Sequence, residues 1–189
     1  MHLQYDEDLV EGAVFLCAQG ARGGVAPLQT LRFSNARDRL YDIADPDARN
    51  DAFFQLHLQW FREWGLEDLL KRVLAEFPLV SAALKTLSFR KARSRNEEGA
   101  ELFVHAETGR NGVVALRIER LARDADLTPF LRHELTHLSD MVDPRFGYSK
   151  RVPGRIPTQQ QLVRDRYRLL WDITIEARLA ARHKDAAAP

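Results

Sequence analysis

The sequence predicts an α+β protein, and three patterns carry that prediction. Residues 46–85 place apolar side chains at helical spacing. Residues 86–120 change to short runs rich in β-branched and aromatic residues, separated by turn chemistry. Residues 128–182 return to helical spacing in two segments divided by a loop containing proline and glycine. The 189 residues, 45% hydrophobic and 29% charged, suit one compact domain with its own core. We therefore expect a single domain over 1–189. It would have a mainly helical part over 1–85, then a small antiparallel sheet packed on two further helices over 86–183.

The elements follow in order. "DLVEGAVFLCAQ" reads as a short helix in which Cys17 is a small buried hydrophobe. "QGARGGVAP" is a loop; it lacks the Lys-Ser/Thr that a phosphate-binding loop needs. From Pro46, "DPDARNDAFFQLHLQWFREW" sets Phe53, Phe54, His57, Trp60, Phe61 and Trp64 at helical spacing, an aromatic stripe that belongs in the core, with His57 as a core histidine rather than a ligand. Gly65 stops that helix, and "LEDLLKRVLAEF" forms another, ended by Pro78.

"TLSFRKARSR", "AELFVHAET" and "GVVALRIER", joined by "NEEG" and "GRNG", predict a three-stranded antiparallel meander. The cluster Arg90, Lys91, Arg93 and Arg95 then falls on the solvated side of an edge strand. Thr128 followed by Pro129 has the form of an N-cap and first helical residue, for a helix running to about Val142 and ended by Pro144. The last helix is expected from Pro157 or Thr158 to about Arg182, with Thr158 and Gln161 at capping-box spacing.

Charge excludes some functions. With 28 basic and 27 acidic residues the net charge is +1, which argues for neither nucleic acid nor membrane as a partner. No apolar run reaches transmembrane length. The acidic start "MHLQYDEDLVEG" lacks the order of a signal peptide, and a single cysteine permits no internal disulfide. A cytoplasmic protein is expected.

The chemistry lies in the two late helices. His133-Glu134-Leu135-Thr136-His137 is an H-E-x-x-H. Histidines at i and i+4 project from one helix face, one turn apart, at a separation that lets two imidazoles bind one zinc. Glu134 flanks that face, where it reaches a water on the metal rather than the metal. In the last helix, Leu162, Asp165, Leu169, Asp172, Ile173, Glu176, Leu179 and Ala180 share one arc, expected to face the core. Asp172 and Glu176 on such an arc need a charged partner, either a metal with its histidines or arginines such as Arg132, Arg164 and Arg168.

An H-E-x-x-H helix after a small antiparallel sheet, followed by a helix carrying a glutamate, resembles the zincin metallopeptidases, specifically their gluzincin-like branch. The resemblance covers about Thr86 to Arg182 and implies a zinc-dependent hydrolase acting on peptide bonds, with a peptide or protein substrate. It implies His133, His137 and Glu176 as zinc ligands and Glu134 as general base. The best-known gluzincins carry an aspartate four residues after the third-ligand glutamate, whereas here Asp172 lies four before. Asp172 is thus expected as a partner of a ligand histidine, or as the ligand itself. A metzincin-like alternative would use Asp143, but Asp140 stands where that branch has its turn glycine. Asp140 shares the histidine face and is expected either to orient a ligand or to bond a loop amide. Tyr148 is expected either to stabilise the oxyanion or to anchor the loop. His105 and His183 are read as incidental. A module that binds metal without catalysis, serving regulation or peptide binding, is the rival function.

Overall fold

The computed structural model describes residues 1–21, 23, 25–105, 109–149 and 156–186, the side chains of 183–186 excepted. Strand β1 (His2–Tyr5) leads into five helices, α1 (Glu7–Ala18), α2 (Pro27–Asp38), α3 (Pro46–Glu63), α4 (Leu66–Leu74) and α5 (Pro78–Ala83). Strands β2 (Thr86–Lys91), β3 (Gly99–His105) and β4 (Gly109–Leu116) follow, then α6 (Ile118–Leu121), α7 (Asp124–Val142) and α8 (Pro157–Ala186).

The architecture is α+β, with a sheet of mixed direction in the order β1-β2-β4-β3. β1 pairs parallel to β2, with His2 opposite Thr86, and β2 pairs parallel to β4, with Thr86 opposite Asn111. Only β3 and β4 form an antiparallel hairpin, with Gly99 opposite Ala115 and His105 opposite Gly109. The expected meander is therefore corrected. β3 and β4 do pair as neighbours in sequence, but the expected turn at 109–112 is part of β4, and β3 takes the edge while β4 lies between it and β2. β2 is an interior strand that carries only Arg90 and Lys91 of the basic cluster; Arg93 and Arg95 lie beyond its end, and all four are exposed as expected, though not on an edge strand. The Lys91 amide donates to Asp6 Oδ2 at 3.1 Å. The N-terminal residues, unassigned by pattern, supply the other edge.

One core joins the helical part to the sheet. Leu87, Phe89, Val114 and Leu116 from the strands are buried with Leu127, Leu131, Leu135 and Leu138 of α7, and with Leu9, Val14, Phe61 and Leu70 of the N-terminal helices. His57 is buried as expected; its Nδ1–H donates to the Phe53 carbonyl at 2.8 Å, and Phe33 packs edge-on to it. Gly112 sets how closely α7 approaches the sheet. A Cβ there would lie 2.7 Å from Leu84 Cδ1, 2.9 Å from Leu87 Cδ1 and 3.4 Å from Leu138 Cδ1.

α7 begins four residues before the expected cap. Asp124 and Asp126 in its first turn complement the positive end of the helix dipole, and Pro129 sits inside the helix instead of at its first position. Lacking an N–H, Pro129 removes one early backbone bond, which tertiary burial of Leu127 and Leu131 outweighs.

α8 departs further from expectation. Its buried residues are Trp171 and Ile175, whereas Leu162, Leu169 and Ile173 of the predicted core-facing arc are exposed. The reason is local: the apolar contact of α8 with the body is made by Trp171 and Ile175, flanked by polar contacts from Asp172, Glu176 and Arg178, and hydrophobicity alone points to the wrong side. Asp172 and Glu176 flank the docked face instead of lying within a core stripe. Among the described residues, no helix is long and apolar enough to cross a membrane.

Candidate metal centre

α7 carries both histidines on the face that meets α8. His133 Nε2 and His137 Nε2 lie 3.2 Å apart. Asp172 Oδ1 lies 2.8 Å from His137 Nε2 and 3.4 Å from His133 Nε2. Tetrahedral coordination with metal–ligand bonds near 2.05 Å separates adjacent donor atoms by about 3.3 Å. These three atoms are thus spaced much as ligands of one small cation, and among the described residues they form a group able to hold a metal. Two imidazole nitrogens and one carboxylate oxygen are a donor set suited to zinc.

Glu176 takes a different place from the one expected. Its Oε1 accepts from His133 Nδ1 at 2.8 Å. That bond puts the proton on Nδ1 and leaves the Nε2 lone pair directed at the cluster, the arrangement by which a carboxylate orients a histidine ligand. Of Asp172 and Glu176, the first reaches the converging nitrogens and the second the far side of a ring.

Glu134 is buried beside the histidine face. Burial pushes its carboxyl above the usual carboxylate range, against the lowering influence of His133, Arg168 and a hydrogen bond from the Ala100 amide. That bond ties Glu134 to the start of β3, the free edge of the sheet. Gly99, at φ +153°, makes room there: a Cβ would stand 3.2 Å from Arg168 Nη2 and 3.8 Å from Glu134 Oε2. His137 is held below its ordinary range by burial, with Asp172 acting in the opposite direction. A neutral imidazole is the form that coordinates a metal.

Asp140 braces the two helices. Its carboxylate accepts from Trp171 Nε1 at 2.7 Å and from Arg178 Nη1 at 2.9 Å and Nη2 at 2.5 Å. Trp171 stands edge-on to the His137 ring, with centroids 4.5 Å apart. Asp140 thus contacts the indole that packs on His137, and among its hydrogen bonds the partners are Trp171 and Arg178 rather than a loop amide. Tyr148 packs at 5.7 Å from Trp171, half-buried, with burial raising its hydroxyl pKa. It lies where a loop anchor would. Asp143 is turned to Arg145, accepting from its amide at 2.8 Å and from its guanidinium at 2.9 Å, and is not in the cluster.

Arg132 pairs with Glu76 at 2.8 Å and does not cover the α8 carboxylates. His105 closes β3 in an exposed position, and the His183 side chain lies outside the described residues. Sequence reasoning missed Trp171, Arg178 and Gly99; Arg168 was named as a partner for the α8 carboxylates, and it lies instead beside Gly99 and acts on Glu134. The signal available for Trp171 was a tryptophan directly before Asp172 in an otherwise charged helix. Comparisons with protein-family models, curated proteins and solved structures found no match.

Proposed function

We propose that this chain is a zinc-dependent hydrolase of zincin type that cleaves peptide bonds. One observation carries the reading: His133 Nε2, His137 Nε2 and Asp172 Oδ1 converge at ligand spacing, with Glu134 of the same H-E-x-x-H beside them. His133, His137 and Asp172 would hold the metal, a change from the Glu176 that the gluzincin resemblance implies. Zinc bound there supplies a Lewis acid that acidifies water and polarises a carbonyl.

The protein's own residues divide the remaining work. Glu134 accepts the proton of the attacking water and returns it to the leaving amine. Glu176 keeps the His133 ring in the tautomer and orientation that present Nε2. Asp140 and Trp171 hold the His137 ring from the other side. β3 offers an open edge running past Glu134, to which an extended peptide adds as a further strand, placing its backbone beside the reacting group.

The test is metal content of protein purified without a histidine tag, measured by atomic spectroscopy, together with a chelator competition at fixed pH. Wild type should hold one zinc per chain. His137→Ala and Asp172→Ala should lose it, and Glu176→Ala should weaken it about 10- to 100-fold. Glu134→Gln should retain zinc and abolish peptide hydrolysis. Stoichiometric zinc in His137→Ala would sink the proposal; severe loss in Glu176→Ala with normal binding in Asp172→Ala would return the third-ligand role to Glu176.

A further inference from the structure

α8 carries a second apolar face that, among the described residues, nothing covers. Leu162 is 51% exposed, Leu169 62% and Ile173 57%. At about 100° per residue these three fall within a narrow arc, on the side of the helix away from Trp171 and Ile175. The helix docks on α7 through one side and shows an aliphatic stripe to solvent on the other. The stripe spans residues 162–180, about 27 Å at 1.5 Å per residue.

Its sequence is self-complementary in one orientation. The spacing of Leu162, Leu169, Ile173 and Ala180 is seven, four and seven, the pattern of a coiled-coil seam. Arg166 and Glu176 occupy the two remaining seam positions, and both are exposed. Two such helices set antiparallel about Trp171 place Leu169 against the partner's Ile173, Leu162 against the partner's Ala180, and Arg166 against the partner's Glu176. Every seam position then meets an apolar or oppositely charged residue. A parallel arrangement instead stacks Arg166 on the partner's Arg166 and Glu176 on the partner's Glu176. The charges therefore select the antiparallel pair, and the twofold relation repeats each contact.

We propose that the occupant of this stripe is a second copy of the same chain, forming an antiparallel α8–α8 dimer. The consequence reaches the metal centre. Glu176 uses Oε1 for His133 Nδ1, and its other oxygen is the one that meets the partner's Arg166. Each copy would thereby supply a guanidinium to the carboxylate that orients a histidine in the other. Asp172 is turned to His137 and takes no part in the seam. The pairing requires no metal, and Glu176 is the one seam residue it shares with the proposed centre, so self-association can be read apart from hydrolysis.

Sedimentation velocity of the full chain tests it, with and without chelator. Wild type should dimerise as concentration rises to about 100 µM, a modest affinity for a single helix pair. Arg166→Glu alone and Glu176→Arg alone each create two like-charge contacts and should weaken self-association at least about tenfold. An equimolar mixture of these two variants should form a heterodimer with affinity near that of wild type, since each mismatched site is then opposed by its complement. Ile173→Glu should be monomeric with an unchanged circular-dichroism spectrum. A monomeric wild type across that range, or a variant mixture that pairs no better than its components, would overturn the proposal.

Discussion

The two helices that build the metal centre are held in unlike ways. α7 buries Leu127, Leu131, Glu134, Leu135, Thr136, His137, Leu138, Asp140 and Val142, and rests on β4 at Gly112. α8, eleven residues longer (30 against 19), buries among its described side chains only Trp171 and Ile175. The histidines therefore stand on an element fixed by the core. The carboxylates stand on one attached by an indole, an isoleucine, the Asp140–Arg178 pair and the histidine contacts themselves. Burial of aliphatic area sets the cost of moving each helix, so α8 has much the smaller barrier to leaving its place. A cation bound between them would act mainly on α8.

The largest expected effect is on α7. Leu135→Ala removes a fully buried side chain and should lower global stability by about 2 to 5 kcal/mol in denaturant unfolding. Ile175→Ala, equally buried on α8, should cost less than half of that and instead raise hydrogen exchange across 157–182. Equal global losses would break the contrast. Next, zinc at about one hundred times its dissociation constant should stabilise the fold by about 2.7 kcal/mol. In exchange mass spectrometry the added protection should fall on α8 much more than on α7; uniform protection would mean that α8 is already as firmly held.

Asp140→Asn weakens the brace without enlarging it. We expect about 1 to 3 kcal/mol of lost docking, because Arg178 loses its charged partner. Exchange in α8 should rise while that of β2 and β4 stays unchanged. The smallest effect belongs to the sheet side. Burial tends to raise the Glu98 carboxyl, but Arg120, the Arg117 amide and the Arg117 charge together hold it below the usual range. A lowered folded pKa contributes stability at pH above the ordinary glutamate value of about 4.3, and that stability is lost as pH falls through the folded value. Chemical denaturation at a series of acidic pH values should show a loss of about 1 kcal/mol there, absent in Glu98→Gln. Because Arg120 also lies over the Phe130 ring at 4.1 Å, the loss should fall on the start of α7 and leave α8 unaltered.

Legibility in the sequence follows the same divide. The H-E-x-x-H pair could be read because i and i+4 positions on a helix are neighbours whatever surrounds them. The aromatic stripe of α3 was legible for the same local reason, and so was the antiparallel pairing of β3 with β4, although its turn was misplaced onto residues 109–112, which are strand. The parallel pairing of β1 with β2 was not, since residues 2–5 and 86–89 are joined through five helices and no local pattern records that register. On α8 the apolar arc was real, but its direction was misread. Hydrophobic periodicity reports that a face is apolar, and cannot say whether this chain covers it. Asp172 and Glu176 were both singled out; which one meets Nε2 depends on the crossing of α8 over α7, and that is fixed by Trp171 and Asp140.

The first strand has a consequence for the order in which the molecule can be made. β1 is synthesised before its partner Thr86–Phe89, which lies 84 residues behind it. At about 5 to 20 residues per second, roughly 4 to 17 seconds of synthesis separate the two. During that interval α1 to α5 are complete and able to pack, while Leu3 and Tyr5 have no ladder to join. The β1 edge is thus closed late by residues made before α1 to α5, over a helical layer already in place.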